Sequence, residues 1–273
     1  VRDGRLYGRG ACDTKGPMAA MLLALTAVMD NGGPVHDVVF AATCDEENGA
    51  AGARHLAESG IEADLAVIAE PTELKLITTH KGVVRARVTT CGTAVHSSAP
   101  ERGKNAVYAM LPVAARLRQM ADELTARRAH PQLGTPTLAV TTIVGGSAVN
   151  IVPERCTLQV DRRLLPDESV DGVKQELETA VDDAADDAAE VEWTQFYPPM
   201  ETAPETVGLP ELMDALARAT GETGCQTVAY GTNGGFYARA GIPGVVFGPG
   251  SIAQAHTADE SIALDEVETA ADV

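Results

Sequence analysis

The chain has 273 residues, 45% of them hydrophobic, and carries 39 Asp and Glu against 21 Lys and Arg, a formal net charge of −18. A surface this acidic repels nucleic acid and anionic membranes, which excludes both as partners, and no apolar run approaches the roughly 18 residues of a membrane span. Five cysteines, widely spaced and without a Cys-x-x-Cys pair, argue against a disulfide framework or a thiolate metal site and for a reducing, cytoplasmic setting.

Residues 17–30 read as a helix with Pro17 in its first turn. The run Val35–Thr43 reads as a strand, residues 49–59 as a helix, and residues 63–69 as a second buried strand. That alternation predicts an α/β sheet covered by helices. The texture changes near Lys81. Residues 82–90 alternate apolar and polar, as a half-exposed strand does, and a long helix follows over about 105–124. Two further alternating strands are expected near 137–144 and 156–164, then an acidic helix over 170–188 and a strand at 190–196. The order β-α-β-β-α-β is the ferredoxin-like pattern. After Pro198-Pro199 the first texture returns, with a helix near 209–220, glycine-rich loops, a strand at 244–247 and the start of a final helix. The expected organisation is therefore an α/β domain made of residues 1–80 and 195–273, with a small α+β domain, 81–194, inserted into it. Asp182, Asp183, Asp186 and Asp187 read as a solvated helix face.

The carboxylates that could carry chemistry share a position. Asp13 lies in a glycine-rich loop entering a helix, Glu46 and Glu47 follow the first expected strand, and Glu70 follows the second. Open α/β sheets place their sites beyond strand ends in this way. Any one of these acids also fits a helix cap or a first-turn acid. His256 follows the strand at 244–247 through a Gly-Pro-Gly loop, with Asp259 or Glu260 placed to orient its second ring nitrogen. Carboxylates with an imidazole suit Zn²⁺, Co²⁺ or Mn²⁺.

The runs Gly8-Arg9-Gly10…Asp13-Thr14-Lys15-Gly16, Asp45-Glu46-Glu47, Glu70-Pro71-Thr72 with His80-Lys81-Gly82, Gly92-Thr93-Ala94-Val95-His96-Ser97-Ser98-Ala99-Pro100 and Gly248-Pro249-Gly250-Ser251…His256 together resemble one family. It is the co-catalytic zinc hydrolase family that contains acetylornithine deacetylase, succinyl-diaminopimelate desuccinylase, aminoacylase-1 and carboxypeptidase G2. The resemblance runs in order along nearly the whole chain.

The resemblance implies a zinc-peptidase-like α/β/α catalytic domain with a ferredoxin-like dimerisation or lid domain inserted. It implies two zinc ions per complete subunit, with Asp13 bridging them, Glu47 and His256 completing one site, Glu70 binding the other, and Glu46 acting as general base. His96 matches the family's oxyanion donor, often supplied across a homodimer interface. Asn150 matches a substrate-contacting Asn, and Gly231-Thr232-Asn233 a loop lining the pocket, where many relatives carry Asp in place of Asn233. Asp161-Arg162-Arg163 matches the family's Asp-x-Arg. Strand alternation puts Asp161 and Arg163 on one face and Arg162 on the other. Arg163 is thus the candidate for the substrate carboxylate, against the alternative of a strand Arg simply paired with Asp161. Lys15 reads as structural. The family's upstream His-x-Asp run does not occur in this chain, which opens without Met. The expectation from that is one site with three protein ligands, a second with two, and impaired activity. The expected reaction is hydrolysis of the amide bond of an N-acyl amino acid. A dipeptidase or carboxypeptidase of the same family, or a non-catalytic metal-binding relative, are the alternatives.

Overall fold

The structure, a computed structural model, describes residues 1–185 and 189–273. The chain divides into two units, one comprising Val1–His80, Met200–Val228 and Thr232–Val273, the other Lys81–Pro199 and Ala229–Gly231.

The first unit begins with β1 (Arg5–Tyr7), α1 (Gly16–Asp30), α2 (Ala51–Glu58), β2 (Ala66–Ala69) and β3 (Ile77–His80). Pro17 sits in the first turn of α1, where a missing N–H costs nothing. The expected strand at Val35–Thr43 is absent. The segment is irregular, with Val35 92% and Val39 68% exposed. Its β-branched composition favours extension, but a strand persists only within a hydrogen-bonded ladder, and among the described residues no strand pairs with it.

The second unit contains β4 (Gly82–Cys91), α3 (Ala106–Thr125), β5 (Thr137–Gly145), β6 (Arg155–Leu164), α4 (Val170–Ala184) and β7 (Glu190–Tyr197). Its sheet has the order β5-β6-β4-β7 with every pair antiparallel, which is the ferredoxin-like arrangement. The Asn105 carboxamide caps α3 by accepting from the amides of Val107 and Tyr108 at 2.9 and 3.2 Å. The helix then buries Met110, Val113, Leu117, Met120 and Leu124, spaced three and four apart, against Val84, Leu158 and Val160 of the sheet. The acidic helix ends at Ala184. Asp186 and Asp187, read above as part of its solvated face, lie outside the described residues.

Alternation in β6 turns Cys156, Leu158, Val160 and Leu164 inward, and Arg162 with them. A fully buried guanidinium needs a counter-charge. Glu168 supplies it, with Glu176 at 4.0 Å, and the carbonyl of Arg163 accepts a further hydrogen bond.

The chain returns to the first unit with β8 (Met200–Glu201), α5 (Leu209–Thr220), β9 (Gln226–Val228), α6 (Gly234–Arg239), β10 (Gly244–Phe247), β11 (Ser261–Ala263) and α7 (Leu264–Asp272). β10 pairs parallel with β2, and β3 pairs antiparallel with β10 and β8 and parallel with β9. The short segments β1 and β11 form a separate antiparallel pair. Val245, Phe247, Leu209, Leu216 and Ile262 form the core beneath the sheet. Tyr197–Pro199 belong to the second unit, so the chain crosses at 199/200 and not at the expected 194/195. Gly231 also packs there, where a Cβ would lie 3.1 Å from Tyr197 and 3.3 Å from the carbonyl of Lys81.

Candidate metal centre

Asp13 sits in the turn between β1 and α1, joined to Thr14 by a cis peptide bond. Two hydrogen-bonding groups far away in sequence fix this turn. The Thr14 hydroxyl donates to the carbonyl of Ala69 at 2.6 Å, bringing the turn to the end of β2, one residue before Glu70. The Glu260 carboxylate accepts from the amides of Gly10, Cys12 and Asp13 at 2.8–2.9 Å. Glu260, one of the two orienting partners of His256 that the sequence offers beside Asp259, therefore holds the Asp13 turn instead. Although burial pushes its carboxyl up, these three amides and Arg9 hold it below the usual range.

The Gly248–Ser251 loop that leads to His256 is tied to the segment after Glu70. Thr72 and Leu74 donate backbone N–H groups to the carbonyl of Gly248, and Glu73 donates to that of Gly250. Glu266 accepts the Gly250 amide at 2.7 Å. Two glycines permit this closeness: a Cβ on Gly248 would stand 2.6 Å from the carbonyl of Glu70, and one on Gly250, at φ +86°, 2.6 Å from the Cys12 sulfur.

Apart from Asp3, every non-glycine residue with positive φ among those described lies in a loop carrying or flanking these groups. They are Asp45, Ala50, Glu73, Leu74 and His256. Such strained backbone concentrates at functional sites.

The loops bring Asp13, Glu47 and His256 together. Nε2 of His256 lies 2.8 Å from a Glu47 oxygen and 3.3 Å from an Asp13 oxygen, and the three donor atoms all fall within 4.8 Å of one another. Two ligands each about 2.1 Å from one ion at the tetrahedral angle stand about 3.4 Å apart, so the spacing and the donor set of two carboxylates and an imidazole fit a divalent cation. Glu46 and Glu70 lie outside this triad but within its electrostatic field. Burial, then the charges of Glu47 and Asp13, push the Glu46 carboxyl up to about 7, with His256 opposing. Burial first, then Glu46, Asp13 and Glu47, hold Glu70 well above the ordinary value. Asp13 is raised by burial and by Glu47, again against His256. Packing this much negative charge together is unfavourable without a counter-ion. Lys15, read as structural, donates to the carbonyl of Arg9.

The other candidates fall in two places. Thr232 and Asn233 belong to the first unit, with the Thr232 hydroxyl 3.1 Å from Nε2 of the buried His80 and the Asn233 side-chain oxygen buried without a hydrogen bond. His96, Asn150, Arg163 and Gly231 belong to the second unit. The His96 and Asn150 loops lie side by side, the Ser97 amide donating to the carbonyl of Asn150 at 2.9 Å. The Ser98 amide donates to Nδ1 of the exposed His96, which leaves Nε2 of the neutral ring as the N–H donor. A groove of about 780 Å³ lies beside them, lined by Ser97, Tyr108, Ser147, Val149, Ile151 and Pro153 among others. Arg163 is held bidentately by Asp161, which also accepts from Arg85, so its guanidinium is already engaged.

Residues 1–273 match the model for peptidase family M20/M25/M40 along their whole length. This chain belongs to that family. It is 35% identical to an acetylornithine deacetylase of Vibrio atlanticus, over 99% of this chain and 72% of that protein. It is 34% identical to one of Myxococcus xanthus, over 97% of this chain and 70% of that protein. Among solved structures, an M20 family metallo-carboxypeptidase from Sulfolobus solfataricus superposes with a TM-score of 0.79 at 19% identity, over 100% of this chain and 76% of that one. Aminopeptidase PepT from Bacillus cereus gives 0.77 at 21%, over 100% and 73%. At those identities the superpositions speak to the fold, the α/β architecture described above. As an M20 member the chain is a hydrolase of a family in which dependence on divalent metal is general. No helix among the described residues is long and apolar enough to cross a membrane.

Proposed function

We propose that this chain hydrolyses the amide bond of an N-acyl amino acid at a metal centre held by Asp13, Glu47 and His256. The observation that carries the proposal is the convergence of those three groups beside Glu46, whose carboxyl sits near neutrality. Zinc is the ion we assign, with Co²⁺ or Mn²⁺ as substitutes. Glu70, buried and strongly raised at the end of β2, would hold a second ion together with Asp13. Bound there, the ions would polarise the scissile carbonyl and acidify the attacking water. Glu46 takes the proton as that water adds to the carbonyl carbon, then delivers it to the amine nitrogen as the C–N bond breaks. His96, with Nε2–H as donor, stabilises the oxyanion of the tetrahedral intermediate. Asn150, Gly231, Thr232 and Asn233 contact the substrate. Arg163 meets its carboxylate by virtue of the excess positive charge that two arginines keep around Asp161. Its five free cysteines support our proposal of a cytoplasmic setting.

The resemblance to acetylornithine deacetylases favours a short acyl group. Zinc-loaded protein is expected to cleave N-acetylornithine with a kcat/KM at least about tenfold above that for N-succinyl-diaminopimelate or for dipeptides, a margin of about 1.4 kcal/mol. A preference for dipeptides would replace this reading with the peptidase one.

We further propose that the chain forms a homodimer through the second unit. β5 is an edge strand, paired on one side by β6. Ile143 and Val144 on it and Tyr108 and Leu111 on α3 are more than half exposed. An unpaired edge next to apolar surface is where a two-fold partner adds strands. Light scattering in several hundred millimolar salt, which screens the repulsion between two acidic chains, is expected to give twice the chain mass. A monomer under those conditions would rule the dimer out.

A further inference from the structure

The sequence places Glu260 four residues after His256, and nothing in its local pattern points to the Asp13 turn. In the structure it is 3% exposed, and both carboxylate oxygens are saturated by one turn of chain about 250 residues away. Oε1 accepts the amides of Cys12 and Asp13, each at 2.9 Å, and Oε2 accepts the amide of Gly10 at 2.8 Å and Nη1 of Arg9 at 3.2 Å. Donors occupy both oxygens, so the pocket is built for a carboxylate and not for an amide. An isosteric Gln would turn an NH₂ group toward at least one backbone N–H. The same residue begins the β11 side of the β1–β11 pair, since the Gly8 amide donates to the Glu260 carbonyl at 3.0 Å. Side chain and backbone therefore hold opposite ends of the turn from Gly8 to Asp13.

We propose that Glu260 is a positioning residue that sets the Asp13 carboxylate in ligating geometry before any ion arrives, by gripping the backbone of its turn. The inference rests on the metal-centre reading above. It links the two ligands directly, because the chain that leaves His256 returns within four residues to clamp Asp13. Movement of either ligand loop is thereby transmitted to the other.

The test compares wild type with Glu260→Gln by chelator-competition titration with zinc, and by the visible absorption of the cobalt-substituted protein. Glu260→Gln is expected to weaken zinc binding by about 10- to 100-fold, the range for loss of a group that orients a ligand, and to change the position and intensity of the cobalt bands. A residue serving only global stability would lower the melting temperature and leave those bands unchanged. Equal affinity and identical bands in the variant would overturn the inference. If wild type itself fails to bind zinc, the metal-centre reading falls first and this inference with it. Should Glu260→Gln not fold, amide exchange on the metal-free wild type decides instead. The amides of Gly10, Cys12 and Asp13 are expected to be protected before zinc is added; protection that appears only with zinc would mean that the ion and not Glu260 organises the turn.

Discussion

Glu46→Gln is expected to lower kcat by about 10²–10⁴-fold while leaving zinc content and KM close to wild type. Gln keeps the size of the side chain and removes only its capacity to take a proton. Asp13, Glu47 and His256 surround the proposed ion without it. The base must be ionised to accept a proton and must hold it firmly enough to carry it to the leaving nitrogen. A carboxyl pushed up to about 7 by burial and by the charges of Glu47 and Asp13 is poised for both steps near neutral pH. A bound cation would draw it down from there toward the ionised form. The measurement is steady-state kinetics on metal-loaded variant and wild type, with metal content determined on the same samples. A variant retaining more than a tenth of wild-type kcat would reassign the base, and loss of zinc along with activity would make Glu46 a ligand.

Much of this architecture is legible in the sequence, for identifiable reasons. The second unit is an antiparallel sheet with one face covered by helices, so its strands alternate visibly and α3 carries its apolar residues three and four apart. The order β-α-β-β-α-β follows from that pattern alone. In the first unit the strands are two to four residues long, too short for a period to show, and β1, β3, β8, β9 and β11 escape notice. Val35–Thr43 shows the opposite failure: propensity points to a strand, and the ladder that would make it one does not form among the described residues. Asp13 and Glu70 stand out because one lies in a loop entering a helix and the other follows a strand, a local signal, whereas the expected strand that marks Glu46 and Glu47 does not form. Glu260 does not stand out, since its partners lie about 250 positions away and a His-x-x-x-Glu spacing suggests a bond to the histidine itself. Arg163 is intermediate. Alternation separates its face from that of Arg162, but which carboxylate it pairs with is decided by side-chain conformations that alternation does not encode.

Zinc is expected to stabilise the protein far more at pH 7.5 than at pH 5. In the metal-free protein Asp13, Glu46 and Glu70 all have folded pKa values raised above their ordinary ones, by burial first and then by neighbouring carboxylates, Glu47 among them in each case. An acid whose pKa is raised on folding binds its proton more tightly in the folded chain than in the unfolded one. Its contribution to stability is full below the unfolded value, 4.5 for Glu, and is lost as pH rises through the folded value, about 7 for Glu46. Metal-free protein should therefore lose stability across that interval as buried like charges accumulate. Zinc acts in the opposite sense. It binds the deprotonated carboxylates and the neutral imidazole, so protons compete with it and its affinity falls as pH falls. At a free zinc concentration about 100 times Kd at pH 7.5, mass action supplies about 2.7 kcal/mol. For a chain of this size that is a rise in melting temperature of about 5–10 °C. At pH 5 and the same zinc concentration the rise should be less than half as large. Thermal unfolding of chelator-treated protein, with and without zinc at both pH values, provides the check. Titration calorimetry at pH 6.5 in two buffers of different ionisation enthalpy should show net proton release on zinc binding. A zinc-induced gain that is equal at the two pH values, or binding without proton release, would mean that these carboxyls are already ionised in the metal-free fold and that their mutual repulsion is relieved by something other than protonation.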